Sequence, residues 1–204
     1  MLAGHTAAAL IALLVGGSAL AAPVTVAGLT FSDEEGGLVL RGGWGTGTDQ
    51  DPITLLEDIT GDGPAILVIR GMRQIFGNRV GTDHAVGFVL TKIVRNLTGR
   101  PWHSFELELR EQKSRPSPYE DGLSFGQALG DRRRFGSDRF DQLSQTDEPI
   151  DAVVFAGTTI QPGETVQVRV LVTDYSPNWQ FYLLQRRDAP LAGYAPHERV
   201  EAMR

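Results

Sequence analysis

Residues Gly122 to Gly126 read GLSFG, the GxSxG spacing of a nucleophile elbow. In an elbow, a strand feeds a strained turn that opens a helix, which holds the serine oxygen clear of a parallel sheet. Ser124 would be the nucleophile. His197 follows it, with Asp138, Asp141 or Asp174 between, in the order Ser, Asp, His. The flanking residues do not suit that geometry. RPSPYED precedes the stretch with two prolines and no strand pattern, and QALGDRRR follows it as one helical turn at best. His197 lies in a charged, Ala/Pro-rich tail, a poor place to hold a general base within hydrogen-bond reach. A serine hydrolase at Ser124 is therefore the least favoured alternative.

A second stretch, Gly42 to Pro64, packs glycines, threonines and acids around one apolar run. Gly42 and Gly47 have the spacing of a phosphate loop, but Thr48 stands where the lysine must be, and a β-rich run follows instead of a helix. No nucleotide cofactor is expected. Asp49, Asp51, Asp58 and Asp62 are hard oxygen donors of the kind calcium takes. In an EF-hand register from Asp49, Ile53 takes the fifth position and the required glycine is missing. The aspartates read better as turn formers, bracketing the strand Ile53 to Thr60 at its two ends. Only if those two turns met would they hold an ion, and no metal site is expected.

Other catalytic templates fail. His84 and His103 stand alone, with no HxH or HExxH spacing. Glu106 and Glu108 share one face of an alternating strand and read as its solvated side, not as a carboxylate pair for glycoside chemistry. Asn96-Leu97-Thr98 is a formal glycosylation sequon that reads more simply as a turn between strands. Trp44, Trp102 and Trp179 sit beside turns, in GGWG, RPWH and PNWQ. Exposed there, such rings stack on sugars or anchor partners; packed, they cap the open ends of a core, and packing is the better reading.

The elements that must position these residues are β-strands. Short apolar runs begin at Val24, Leu38, Ile53, Ala65, His84, Ser104, Ala152, Thr165 and Gln180, separated by Gly, Pro, Asn and Asp. In SFELELRE and TVQVRVLVTD the apolar set recurs every second residue, which puts one face in the core and the other in water. About nine such strands without an amphipathic helix predict an antiparallel two-sheet sandwich, with a jelly roll as the alternative. Gly87 reads as a bulge in the longest run. Gln112 to Pro149 is rich in Pro, Gly, Ser and charge and reads as one long loop. Residues 188–204 read as a flexible tail.

Composition bounds the setting. The chain has 204 residues, no cysteine and a net charge of −6. An acidic chain does not displace the counterions of nucleic acid, and the one basic run, DRRRF at Asp131 to Phe135, is flanked by acids. Ala7 to Val15 is an apolar run followed by GGSALAA, the pattern of a cleaved export signal over residues 1–21. The run is too short for a membrane span. The segment before it, MLAGHT, lacks Lys and Arg, so either His5 and the terminal amine suffice or the true start lies upstream. The mature domain then covers residues 22–187, works in the periplasm or outside the cell, and is held by its apolar core without disulfides.

The phrases VRNLTGRPWHSFELEL, TIQPGETVQVRVLVTD, GTGTDQDPI and SPYEDGLSFGQ resemble exported bacterial proteins with an immunoglobulin-like β-sandwich. The resemblance implies the fold and export, and carries no catalytic residue. The expectation is a non-catalytic binding or structural module for a protein or glycan partner. Its site is expected on the long loop, at Tyr119, Asp121 and Phe125. A carbohydrate-binding module using Trp44, Trp102 and Trp179 is the alternative.

Overall fold

The structure, a computed structural model, describes residues 22–126, 135–147, 149–188 and 201–202. The expected export signal and the arginines of DRRRF lie outside the described residues. All nine runs form strands. The first of them divides into β1 (Val24–Val26) and β2 (Leu29–Ser32), because Ala27 and Gly28 both take positive φ, 55° and 95°. That pair makes the tight two-residue turn of a hairpin. There follow β3 (Leu38–Trp44), β4 (Ile53–Ile59), β5 (Ala65–Arg70), β6 (Val86–Asn96) and β7 (Trp102–Arg110). The expected long loop is not structureless. It contains the short strands β8 (Leu123–Ser124) and β9 (Gly136–Ser137), and an edge strand β10 (Gln142–Thr146). Then come β11 (Ala152–Ile160), β12 (Thr165–Asp174) and β13 (Gln180–Arg187), and Glu201–Ala202 forms a last short strand, β14. β14 pairs in parallel with β9, and 189–200 of the expected tail lie outside the described residues.

One sheet has the order β1-β2-β5-β13-β7-β11-β10, the other β14-β9-β12-β6-β4-β3, with β8 added beside β12. The two are packed as a sandwich. Among the described residues there is no α-helix, and no helix is long and apolar enough to cross a membrane. Two pairs depart from an antiparallel order, β9 with β14 and β4 with β6. The chain leaves β4, crosses to β5 in the other sheet, and returns as β6 alongside and parallel to β4.

Alternation builds the core. Val166, Val168, Val170 and Val172 of β12 and Phe105, Leu107 and Leu109 of β7 are all fully buried and belong to one apolar cluster spanning both sheets. Phe105 lies directly opposite Phe155 across the β7–β11 ladder. Each such ring stabilises the fold by roughly 1.5–3 kcal/mol relative to exposure.

Two expectations about faces are corrected. Gly87 makes no bulge: the β6–β12 register runs unbroken through it. Its missing side chain leaves room for Val80, whose Cγ2 would stand 2.6 Å from an added Cβ. Glu106 and Glu108 are not solvated. They are buried because β7 lies in the middle of its sheet, where Arg186 of β13 and Arg110 close over the two carboxylates.

Candidate functional site

The chain passes between the sheets at one end of the sandwich through the connections β5–β6 and β12–β13. The β3–β4 loop and the segment after β7 reach the same end, as the strand registers require. This end carries four of the five large apolar side chains exposed among the described residues: Trp44 (51%), Ile75 (93%), Tyr175 (68%) and Trp179 (51%). The fifth, Leu97, lies at the opposite end.

The loops here are tied down. Trp44 ends β3 opposite Thr54, and Gly45 follows at φ 101°, where a Cβ would stand 1.9 Å from the Pro52 carbonyl oxygen. Only glycine fits that turn. The amides of Thr46 and Gly47 then donate to the Asp51 carbonyl at 3.1 and 2.9 Å. Arg79 reaches across to the carbonyls of Thr46 and Ala27, with its guanidinium 3.8 Å above the Phe76 ring. Asn78 closes the next turn: its Oδ1 accepts from the amides of Val80, Gly81 and Thr82. Gly71 donates to the Trp179 carbonyl at 2.8 Å, and the Arg73 guanidinium lies 4.4 Å over the Trp179 ring. Such rings keep their place without paying ordering entropy when something binds.

Beneath the rings lie three acids that hold their protons more tightly than usual. Asp174 ends β12 on the inner side and is buried. Its Oδ1 accepts from the Ser176 amide at 2.8 Å, and its Oδ2 has no partner. Burial, with smaller contributions from Glu111 and Asp121, pushes its pKa up to about 7. Burial also raises Asp121 and Glu111. Glu111 accepts from Asn178 Nδ2 at 2.7 Å. His84, edge-on to Tyr175 at 6.1 Å, is pushed down by burial. Asp174 has the pKa of a general acid, but it is shut away from water beneath the loops.

Of the residues expected to form a site, Trp44, Trp179 and Asp121 lie at this end, as does the helical turn Tyr119–Asp121, but they are spread over it. Trp44 ends the edge strand β3, Asp121 precedes β8 on the other side of the same sheet, and Trp179 precedes β13 in the other sheet. Phe125 and Trp102 do not join them. Phe125 is fully buried in the core, and Trp102 is buried against Phe105, their rings stacked at 6.0 Å. Ile75, Tyr175, Arg73 and Glu111 were missed by sequence reasoning, and Asp174 was weighed only as an acid partner for Ser124. Tyr175 had a legible signal: it follows a valine-alternating strand directly, in TDYSPNW, where a turn exposes the next ring.

The elbow at Ser124 is absent. Leu123–Ser124 is a strand paired with Asp174 and Thr173, and Ser124 is buried with its Oγ 3.1 Å from Thr173 Oγ1. His197 lies outside the described residues. The four aspartates do not converge. Asp49 pairs with Arg169 at 2.8 Å, Asp58 with Arg41 and Arg95, and Asp62 with Arg100 at the far end of β4. Among the described residues no three His, Asp or Glu side chains are grouped to hold a metal ion.

The opposite end has a cleft of about 250 Å³ lined by Asp62, Thr98, Arg100, Trp102, Arg187 and Asp188. Its charges are already used. Arg187 donates to the carbonyls of Gly61 and Gly63 at 2.6 Å, and Asp188 accepts from the His103 amide at 2.7 Å. Asn96, in the sequon, is buried. Its Nδ2 donates to the carbonyls of Arg100 and Ile160, its Oδ1 accepts from Thr98, and Thr98 Oγ1 accepts from the Trp102 indole at 3.0 Å. The sequon is a turn.

The chain matches no protein-family model, no curated protein and no solved structure.

Proposed function

We propose that this chain is an exported, non-catalytic β-sandwich module that binds a partner through the end bearing Trp44, Ile75, Tyr175 and Trp179. The observation that carries the reading is the gathering of exposed large apolar side chains on hydrogen-bonded loops of one end. Aromatic anchors of this kind dominate binding energy when a partner covers them. Export is supported by the apolar run before GGSALAA, and would put the module in the periplasm or outside the cell. The immunoglobulin-like likeness of the sequence phrases agrees with that setting.

A glycan is the second reading. Trp44, Tyr175 and Trp179 offer faces for sugar rings, and Asn178 offers an amide beside them. Trp102, being buried, drops out of that set.

The test is a photo-crosslinking amino acid placed at Trp179 and, as control, at Leu97, in cells that express the protein. A discrete adduct from position 179 and none from 97 is the expected result for a protein partner. Affinity electrophoresis in soluble polysaccharides tests the glycan arm; retardation lost in Trp179→Ala supports it. No adduct and no retardation overturn the binding role.

A further inference from the structure

Three polar side chains lie inside the apolar core, wholly shielded from water. Glu57 sits on β4 in phase with Ile53, Leu55 and Ile59. Lys92 sits on β6 in phase with Leu90 and Val94. Gln185 sits on β13 in phase with Phe181 and Leu183. β4 and β6 are neighbours in one sheet, and β13 is central in the other, so the group spans the sandwich. Lys92 Nζ is bonded to Glu57 Oε1, and Gln185 Nε2 donates to Glu57 Oε2 at 3.0 Å. Gln185 Oε1 is buried and has no partner. One carboxyl group thus holds an amine on one oxygen and a primary amide on the other.

As a purely structural device this group is poor. A buried ion pair rarely repays its desolvation compared with apolar residues of the same size, and the amide oxygen is left unmatched. As a reaction centre it brings together a nucleophile, a proton carrier and an acyl group. We propose that Lys92 and Gln185 become joined by an intramolecular isopeptide bond, with Glu57 carrying the proton.

The step balances with the groups present. Glu57 takes a proton from Lys92, leaving a neutral amine. The Lys92 Nζ lone pair attacks Gln185 Cδ, forming the new C–N bond and placing negative charge on Oε1. Collapse of that adduct breaks the bond to Nε2, which takes the proton that Glu57 returns and leaves as ammonia. The remaining amine proton is shed through Glu57 to the second nitrogen, so Glu57 ends as it began. The products are one secondary amide and one ammonium ion, which lowers the neutral mass of the chain by one ammonia, with no oxidant or co-reactant.

The surroundings favour each part. The nucleophile must be an uncharged amine, and burial lowers the pKa of Lys92 against the opposing pull of Glu57. The shared carboxyl holds both reactants in place, which removes the entropy cost of bringing them together. Water is excluded, so hydrolysis does not compete. The bond would tie β6 to β13 across the core, a covalent strut in a chain that has no cysteine to make one.

The test is the intact mass of the purified full chain, compared with the mass calculated from its determined amino terminus. The expected result is a mass lower by one ammonia, with a branched peptide joining Lys92 to Gln185 after digestion. Glu57→Gln, nearly isosteric, should show the full mass. The proposal is overturned by a full mass in the unaltered protein, by a loss of water that maps to Lys92 and Glu57, or by an ammonia loss that maps elsewhere. An intact bond in Glu57→Gln would overturn the role given to Glu57. Should that variant fail to fold, the mass and digest of the unaltered protein decide the matter alone.

Discussion

Arg186 of β13 lies directly opposite Glu106 of β7, and its second guanidinium nitrogen reaches Glu108 at 2.6 Å. One arginine therefore serves two buried carboxylates on the outer surface of a central strand. Burial works against the charge on Arg186, and the carboxylates of Glu108 and Glu106 more than offset it, leaving its pKa above the ordinary value. Removing the guanidinium strands Glu106 without its partner. Arg186→Met should destabilise the fold by about 3 kcal/mol, read from the urea midpoint at neutral pH. Arg186→Lys should recover only part of that, since a single ammonium cannot fork between two carboxylates. A loss below about 0.5 kcal/mol in the Met variant would mean the pair is effectively solvated.

The Asn96 turn makes a second stability prediction. Asn96→Ala would leave the Ile160 carbonyl without the Nδ2 donor and the Thr98 amide without its acceptor, while Thr98 Oγ1 keeps the Arg100 carbonyl at 3.2 Å. Each buried orphan costs about 1–3 kcal/mol, so a total near 3 kcal/mol is expected in chemical denaturation. Trp102 reports the same event. Its indole is fixed by Thr98, so its emission should shift and broaden in the variant before the main transition.

The three tryptophans should separate cleanly in solution. In variants retaining one tryptophan each, acrylamide should quench Trp44 and Trp179 readily and leave Trp102 shielded. The structure gives the first two half-exposed rings and buries the third at 2% exposure. Equal quenching of all three would contradict the arrangement of both ends of the sandwich.

The strands were legible because their pattern is local. Val166 to Val172 and Phe105 to Leu109 alternate with no regard to what lies opposite. The failures are all matters of what lies opposite. Glu106 and Glu108 have the right phase for a wet face, and only the pairing of β13 with β7 shows that arginines cover them. Lys92 and Glu57 stand in the apolar phase of their own strands, a signal present in HAVGFVLTKIVRN and ITLLEDIT. Their meeting with Gln185 depends on β4 and β6 lying side by side under β13, which no single run encodes. The exposed end was half visible for the same reason. Trp44 and Trp179 announce themselves beside turns, but Asp174 looks like the last residue of a strand until the loop at Asp121 packs over it.

Asp174 gives the protein a pH dependence of defined sign. Its pKa rises from an ordinary 3.8 to about 7 on folding, chiefly through burial. The folded protein therefore binds this proton more tightly than the unfolded chain does, so stability falls as pH rises between about 4 and about 7. Below about pH 4 the group is neutral in both states, and its favourable contribution is fully present. A shift of that size corresponds to at most about 4 kcal/mol across the window. Glu34 works in the opposite direction. Hydrogen bonds from Arg70 and Ser32 lower it to about 2, so its contribution is lost as pH falls below about 4, though its partial exposure weakens the effect. The stability profile should therefore peak on the acid side of neutrality. Asp174→Asn keeps the shape, removes the proton and should flatten the decline between pH about 5 and 7 in thermal melts. Glu111 and Asp121, both raised by burial, should leave a smaller residual slope. Parallel profiles for the variant and the unaltered protein would show that Asp174 is ionised in the folded state at lower pH, and that water reaches it beneath the aromatic end.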